Sequence, residues 1–188
     1  RGYSFIEMIA AMAIVIIVFG LAAPPFHRMI ERNKAANGIN WIIRAINLTR
    51  ISAVDHGSLT TLCPTRDDES CGGAWHDRVM IFTDNNDDRT LNGKDRVIIY
   101  LNFPYEGSTL KWRAFRNRQF LQMTASGFTN YQNGNFVYCS ADQNLRFARQ
   151  IVLNMQGRVK RSYDRNNDGL VEDRYGKHLR CCSGRSLL

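Results

Sequence analysis

Apolar positions fall into three regimes along the chain. Residues 3–23 are apolar almost throughout, with Glu7 as the one charge, and a run of that length and character spans a bilayer as a helix. Over residues 39–53 the pattern changes to helical spacing. Ile39, Ile42, Ile43, Ile46 and Ala53 recur with Arg44, Asn47 and Arg50 between them, so one face of this stretch packs on something. The two stretches read as one long helix to about His56, with Pro24-Pro25 and Gly38 as candidate bends. After Gly57 short β-rich runs take over, at 79–83, 96–101, 109–114, 135–139 and 150–154. Turn signals at Asn92-Gly93, Glu106-Gly107, Ser126-Gly127 and Asn133-Gly134 separate them and predict an antiparallel sandwich or meander.

The length of 188 residues leaves room for one ordinary domain plus an appendage. A net charge of +8, from 25 Lys and Arg against 17 Asp and Glu, favours an anionic surface as partner without choosing among nucleic acid, lipid headgroups and acidic proteins. The cysteines, Cys63, Cys71, Cys139, Cys181 and Cys182, lie in the polar part and none has C-x-x-C spacing, a pattern that suits disulfides in an oxidising compartment. Cys63 and Cys71 enclose a short polar loop and suit a local bridge. Cys139 then pairs with Cys181 or Cys182, which leaves the other free or linked to another chain.

Glu7 is the awkward residue. A carboxylate near the end of an apolar helix costs a few kcal/mol in lipid unless something compensates it. Arg1 is the nearest cation in the sequence; cleavage after Gly2 would substitute a new α-amino group on Tyr3. A conventional signal peptide is the competing reading of 3–23, since Ala22-Ala23-Pro24-Pro25 offers a small-residue exit.

Gly2-Tyr3-Ser4-Phe5-Ile6-Glu7 followed by an apolar helix resembles the class III signal of type IV pilins and type II secretion pseudopilins. The resemblance implies that prepilin peptidase cuts after Gly2, that Tyr3 becomes the N-methylated terminus, where the family most often has Phe, and that Glu7 docks the subunit into its filament. Residues 1–2 are then the end of the leader, 3–23 a transmembrane helix and 24–56 its periplasmic half. The part over 57–188 resembles the GspH/FimT branch. The likeness is carried by Cys63-Pro64 through Cys71, Trp75 with 79–86, Ala125-Ser126-Gly127-Phe128, and 148–152 leading to Gly157-Arg158-Val159-Lys160. The stretch 163–175 is an addition to that pattern. The fold implied is α+β, a type IV pilin fold with the long transmembrane helix packed on an antiparallel β-rich periplasmic domain. Other pilins or pseudopilins and the inner membrane are the implied partners. The implied role is a minor pilin in type IV pilus assembly, at or near the tip, or a minor pseudopilin of type II secretion.

In FimT-like minor pilins of naturally competent bacteria a Gly-Arg-x-Arg motif is implicated in binding DNA. Gly157, Arg158 and Lys160 match it here, with Lys in place of the second Arg, which keeps the charge but lacks the bidentate fork. Arg161 follows, and Lys111 and Arg113 stand in a second basic stretch with Trp112 and Phe115 interleaved. Arg beside aromatic residues suits nucleic-acid contact; a solvated sheet face is the plainer reading. Asp164-x-Asn166-x-Asp168-Gly169, with Glu172 and Asp173 close behind, places oxygens as a calcium loop would, or forms an Asx-rich turn; the twelfth position is Tyr175. Asp84-x-Asn86-x-Asp88 with Asp95 at position twelve is a second such run, carrying Arg89 where the turn glycine belongs. No catalysis is expected. His27, His56, His76 and His178 are scattered, and no Gly-x-Ser-x-Gly motif is present.

Overall fold

The computed structural model describes Gly2 and residues 4–181, apart from the side chains of Phe19 and residues 21–25. Tyr3 and Cys182 therefore lie outside the described residues. The chain divides into two compact units, Arg1–Asn33 and Lys34–Leu188. A helix, α1, runs Phe5–His56. Its first half exposes apolar side chains such as Phe5, Ile6, Ile14 and Ile16. Among the described residues no helix is long and apolar enough to cross a membrane; the expected span over 3–23 includes Tyr3 and the side chains of Phe19 and residues 21–23, which are not described, and at Pro24-Pro25 only the helical backbone is described.

Within the second unit, Ala35, Ile39, Ile42, Ile46, Thr49 and Ala53 are buried on one stripe of α1, the i, i+3, i+4 periodicity that the sequence carries. Thr49 is accommodated there because its Oγ1 donates to the Ala45 carbonyl at 2.8 Å. The stripe packs on two four-stranded antiparallel sheets. Strands β1 (Thr60–Pro64), β2 (Arg78–Thr83), β3 (Val97–Asn102) and β5 (Leu121–Met123) form one, in the order β3-β2-β1-β5. Strands β4 (Thr109–Ala114), β6 (Gly134–Cys139), β7 (Arg149–Leu153) and β8 (Val159–Arg161) form the other, in the order β4-β6-β7-β8. Leu62, Ile81 and Leu121 from the first sheet share one core with Trp112, Phe136, Tyr138 and Ile151 from the second.

Two glycines among the turn and bend signals are closely packed. Gly38 is buried in α1 against Tyr138, and a Cβ there would lie 2.7 Å from the ring. Gly134 belongs to β6, opposite Ala114, and leaves room for the Arg113 carbonyl and the Trp112 ring. By contrast Gly93, Gly107 and Gly127 take the positive φ that their turns require. Cys63 is bonded to Cys71 and Cys139 to Cys181, with Cα atoms 5.5 and 5.8 Å apart. The second bridge fixes the chain after β8 over the outer face of the second sheet, where Val171 and Leu179 cover Val137 and Ala148.

Candidate functional site

At the N-terminus the described residues give Glu7 a local partner. Its Oε2 accepts from the Ser4 backbone N–H at 3.1 Å. Ser4 precedes the first helical residue and Glu7 is the third residue of the helix, so the pair forms the return half of a capping box. The carboxylate thereby satisfies one of the donors that every helix start leaves open. Gly2 is exposed two residues ahead.

The outer face of the second sheet gathers the basic residues. On β4, Leu110 and Trp112 point into the core, which turns Lys111 and Arg113 outward. Register then carries one row across the sheet: Arg113 opposite Asn135, Asn135 opposite Val152, Val152 opposite Lys160. Three strand spacings separate its ends, about 14 Å. Arg158 joins Lys160 on that side of β8. Arg161 alternates to the other side of β8, where its Nη2 donates to Asn40 Oδ1 on α1 at 2.6 Å, although it still borders the groove beside the turn between β7 and β8. Of the residues singled out for DNA, four therefore share one face, and Arg161 is held as a tie to the helix.

The turn between β7 and β8 that presents Arg158 is anchored from three directions. Asn154 Oδ1 accepts from Arg158 N at 2.8 Å. Thr129 N and Oγ1 both donate to the Met155 carbonyl at 3.0 Å. Arg50 reaches from α1 to donate Nε to the Gly127 carbonyl at 2.8 Å and Nη2 to the Gln156 carbonyl. Beside this turn lies a groove of about 640 Å³ whose lining, among the described residues, holds Arg158, Lys160, Arg161, Arg165 and Arg174, with Tyr163, and no carboxylate. Arg165 and Arg174 come from the added stretch after β8, outside the motif at Gly157, Arg158 and Lys160.

The acids of that stretch are directed into its own turns. Asp164 Oδ2 accepts from Gly169 N at 2.8 Å and Asp168 Oδ1 from Leu170 N at 2.8 Å. Asp173 Oδ1 accepts from Tyr175 N and Lys177 N, and buried Glu172 from Arg165 N at 2.7 Å. The Leu170 N–H holds Asp168 below the usual carboxylate range, helped by Asn166 and His178; for Asp173 the Lys177 N–H is the first cause. Among the described residues the structure does not bring Asp164, Asp168 and Asp173 together as a metal-holding trio. It brings together Asp84, Asp88 and Asp95 instead, with carboxylate oxygens within 4.8 Å of one another. Arg89 takes the left-handed backbone that a glycine would supply at that position, φ 63°. These three carboxylates could hold a cation, and each already accepts from backbone N–H groups of its own loop: Asp84 from Asp88, Asp88 from Thr90, Asp95 from Asn85.

A family model described as Type II transport protein GspH matches residues 39–157. Among solved structures, the type IV minor pilin FimU of Pseudomonas aeruginosa is similar in two crystal forms. One gives a TM-score of 0.56 at 15% identity, covering 72% of this chain and 92% of FimU. The other gives 0.52 at 13%, covering 68% and 92%. The minor pseudopilin EpsH from the Type 2 Secretion System of Vibrio cholerae gives 0.48 at 12%, covering 68% of this chain and 95% of EpsH. At such identities the FimU likeness is one of fold. No curated protein matches the chain by sequence.

Proposed function

Because the chain belongs to the GspH family of type II transport proteins, we propose that it is a minor pilin that takes part in type IV pilus assembly, at or near the filament tip. The family match over 39–157 carries the pilin or pseudopilin part of this reading and does not choose between the two machines. The fold likeness to the minor pilin FimU supports it. In this account prepilin peptidase cuts after Gly2, Tyr3 is methylated, residues 3–23 hold the subunit in the inner membrane, and the second unit stands in the periplasm. The Ser4–Glu7 hydrogen bond is the arrangement before assembly, and Glu7 exchanges it for the amine of a neighbouring subunit. The part is structural and needs no active site. The family's description equally favours a minor pseudopilin of type II secretion as the neighbouring assignment.

Fractionation of sheared filaments tests the proposal. The chain is expected among sheared pili, and Glu7→Ala is expected to leave it in the inner membrane while removing it from the filament. A deletion that stops secretion and leaves piliation intact would move the chain to the pseudopilus; absence from both machines would remove the reading.

A second reading, a subunit that binds DNA during uptake, is favoured by the groove lined by Arg158 and Lys160, which holds no carboxylate among the described residues. Cations so placed exchange condensed counterions for phosphate contacts, which makes binding steeply salt-dependent.

A further inference from the structure

We propose that the chain after β8 is the second wall of a nucleic-acid groove, with Arg165 and Arg174 as phosphate-binding residues alongside Arg158 and Lys160. The inference rests on the DNA-binding reading above and adds residues that lie outside the motif behind it. Four observations support it. Arg165 and Arg174 line the same groove as Arg158 and Lys160. The acids that alternate with them in sequence keep their charge but accept from Gly169, Leu170, Tyr175 and Arg165 backbone N–H groups within this stretch, and none of them is among the groove-lining residues, so it is the cations that face the groove. The wall is also fixed in place: Glu172 is buried and bonded to Arg165 N, Leu179 N donates to the Val171 carbonyl at 3.1 Å, and Cys181 is bonded to Cys139 on β6. Finally, Tyr163 lies in the lining with its side chain largely exposed, an apolar surface between cations of the kind that suits sugar or base contact.

A preformed, positively charged groove binds a polyanion without first ordering its own wall, which spares the loss of entropy that a mobile tail would incur. The two pairs of cations should then contribute alike. A phosphate contact on duplex DNA contributes about 0.9 to the slope of log affinity against log salt, so loss of either pair removes about 1.8.

The experiment uses the full chain in detergent and a labelled DNA duplex of mixed sequence, titrated over a salt series. R158Q/K160Q, R165Q/R174Q and K177Q/R180Q are compared; the last pair removes the same charge from exposed positions of the same stretch outside the groove lining. The expected result is a slope reduced by about 1.8 for each of the first two pairs and a clearly smaller change for the third. An unchanged slope in R165Q/R174Q with a reduced one in R158Q/K160Q overturns the second wall and leaves the DNA-binding reading standing. An equal effect of K177Q/R180Q overturns it too, since net charge alone would then explain the loss. No salt-dependent binding by the unsubstituted chain removes the DNA-binding reading and this inference together.

Discussion

Arg50 Nε lies 2.8 Å from the carbonyl oxygen of Gly127, 77 positions further along the chain. The same guanidinium donates to the Gln156 carbonyl, so one helix residue ties together the two turns at Ala125-Ser126-Gly127-Phe128 and Gly157-Arg158. Both turns leave carbonyls that strand pairing does not use, and a charged donor satisfies them strongly.

Arg50→Ala should therefore destabilise the protein by about 2 kcal/mol. Gly157→Ala should destabilise it by about 1–2 kcal/mol, because its φ is +70° and its new Cβ would meet the Arg50 guanidinium. Removing Arg50 relieves that contact, while the positive φ and the Gly127 carbonyl 3.2 Å away remain, so the double variant should lose less than the sum of the two. Chemical denaturation of the four proteins measures this; strict additivity would mean that the two residues are energetically independent.

Gly38→Ala sets two effects against each other. Ala is the better helix former by about 1 kcal/mol, yet its Cβ would lie 2.7 Å from the Tyr138 ring. That ring is fully buried and cannot step aside. Overpacking of this kind costs about 1–3 kcal/mol, so net destabilisation is expected in the same denaturation assay. A stabilised variant would show that α1 moves freely over β6.

The two bridges should differ in their contribution. Cys139–Cys181 closes a separation of 42 residues and Cys63–Cys71 one of 8, which chain entropy converts to about 4 and about 2.5 kcal/mol. Cys139→Ser should lower the denaturation midpoint more than Cys71→Ser does. It should also release hydrogen-exchange protection at Leu179, whose N–H is bonded to the Val171 carbonyl; retained protection there would show that packing on Val137 suffices without the bridge.

Asp67 gives the acid limb of stability a defined contributor. The Ser70 hydroxyl, then the Ser70 and Glu69 N–H groups, hold its carboxyl well below the usual range. A carboxylate depressed in the folded state stabilises above its unfolded pKa, about 3.9, and that stabilisation is lost as pH falls through the folded value. The difference in stability between the parent and Asp67→Asn should thus be present at neutral pH and shrink below about pH 4. A constant difference across the acid range, read from denaturant midpoints, would show that Asp67 does not carry the linkage.

Much of the architecture is legible in the residues. The apolar runs place β2, β3, β4, β6 and β7 to within a residue or two, because Val, Ile and aromatic side chains both favour strands and fill this core. Strand β1 reads Thr-Thr-Leu-Cys-Pro and is buried throughout; a strand that buries hydroxyls gives no apolar signal, and Thr61 is accommodated only because its Oγ1 donates to Asp84 at 2.7 Å. Strand β5 is equally hidden, with Gln122 buried and its Nε2 bonded to Asp87 at 2.6 Å. Candidate site residues are legible where they alternate along one strand, as Lys111 and Arg113 do. They are not legible where the decisive contact is distant in sequence or set by a loop: Arg161 meets Asn40 across 121 positions, and Asp164, Asp168 and Asp173 accept from backbone N–H groups of their own turns, pairings that only the folded loop displays.

Processing of the N-terminus separates a pilin-like subunit from a secreted protein, and the mass of the mature N-terminal peptide from native membranes or sheared filaments reads it out. A minor pilin or pseudopilin is expected to begin at N-methylated Tyr3, with Glu7 five residues in. A chain that begins at Pro24 or beyond would contradict it, since the apolar run would then be a signal removed before any filament forms.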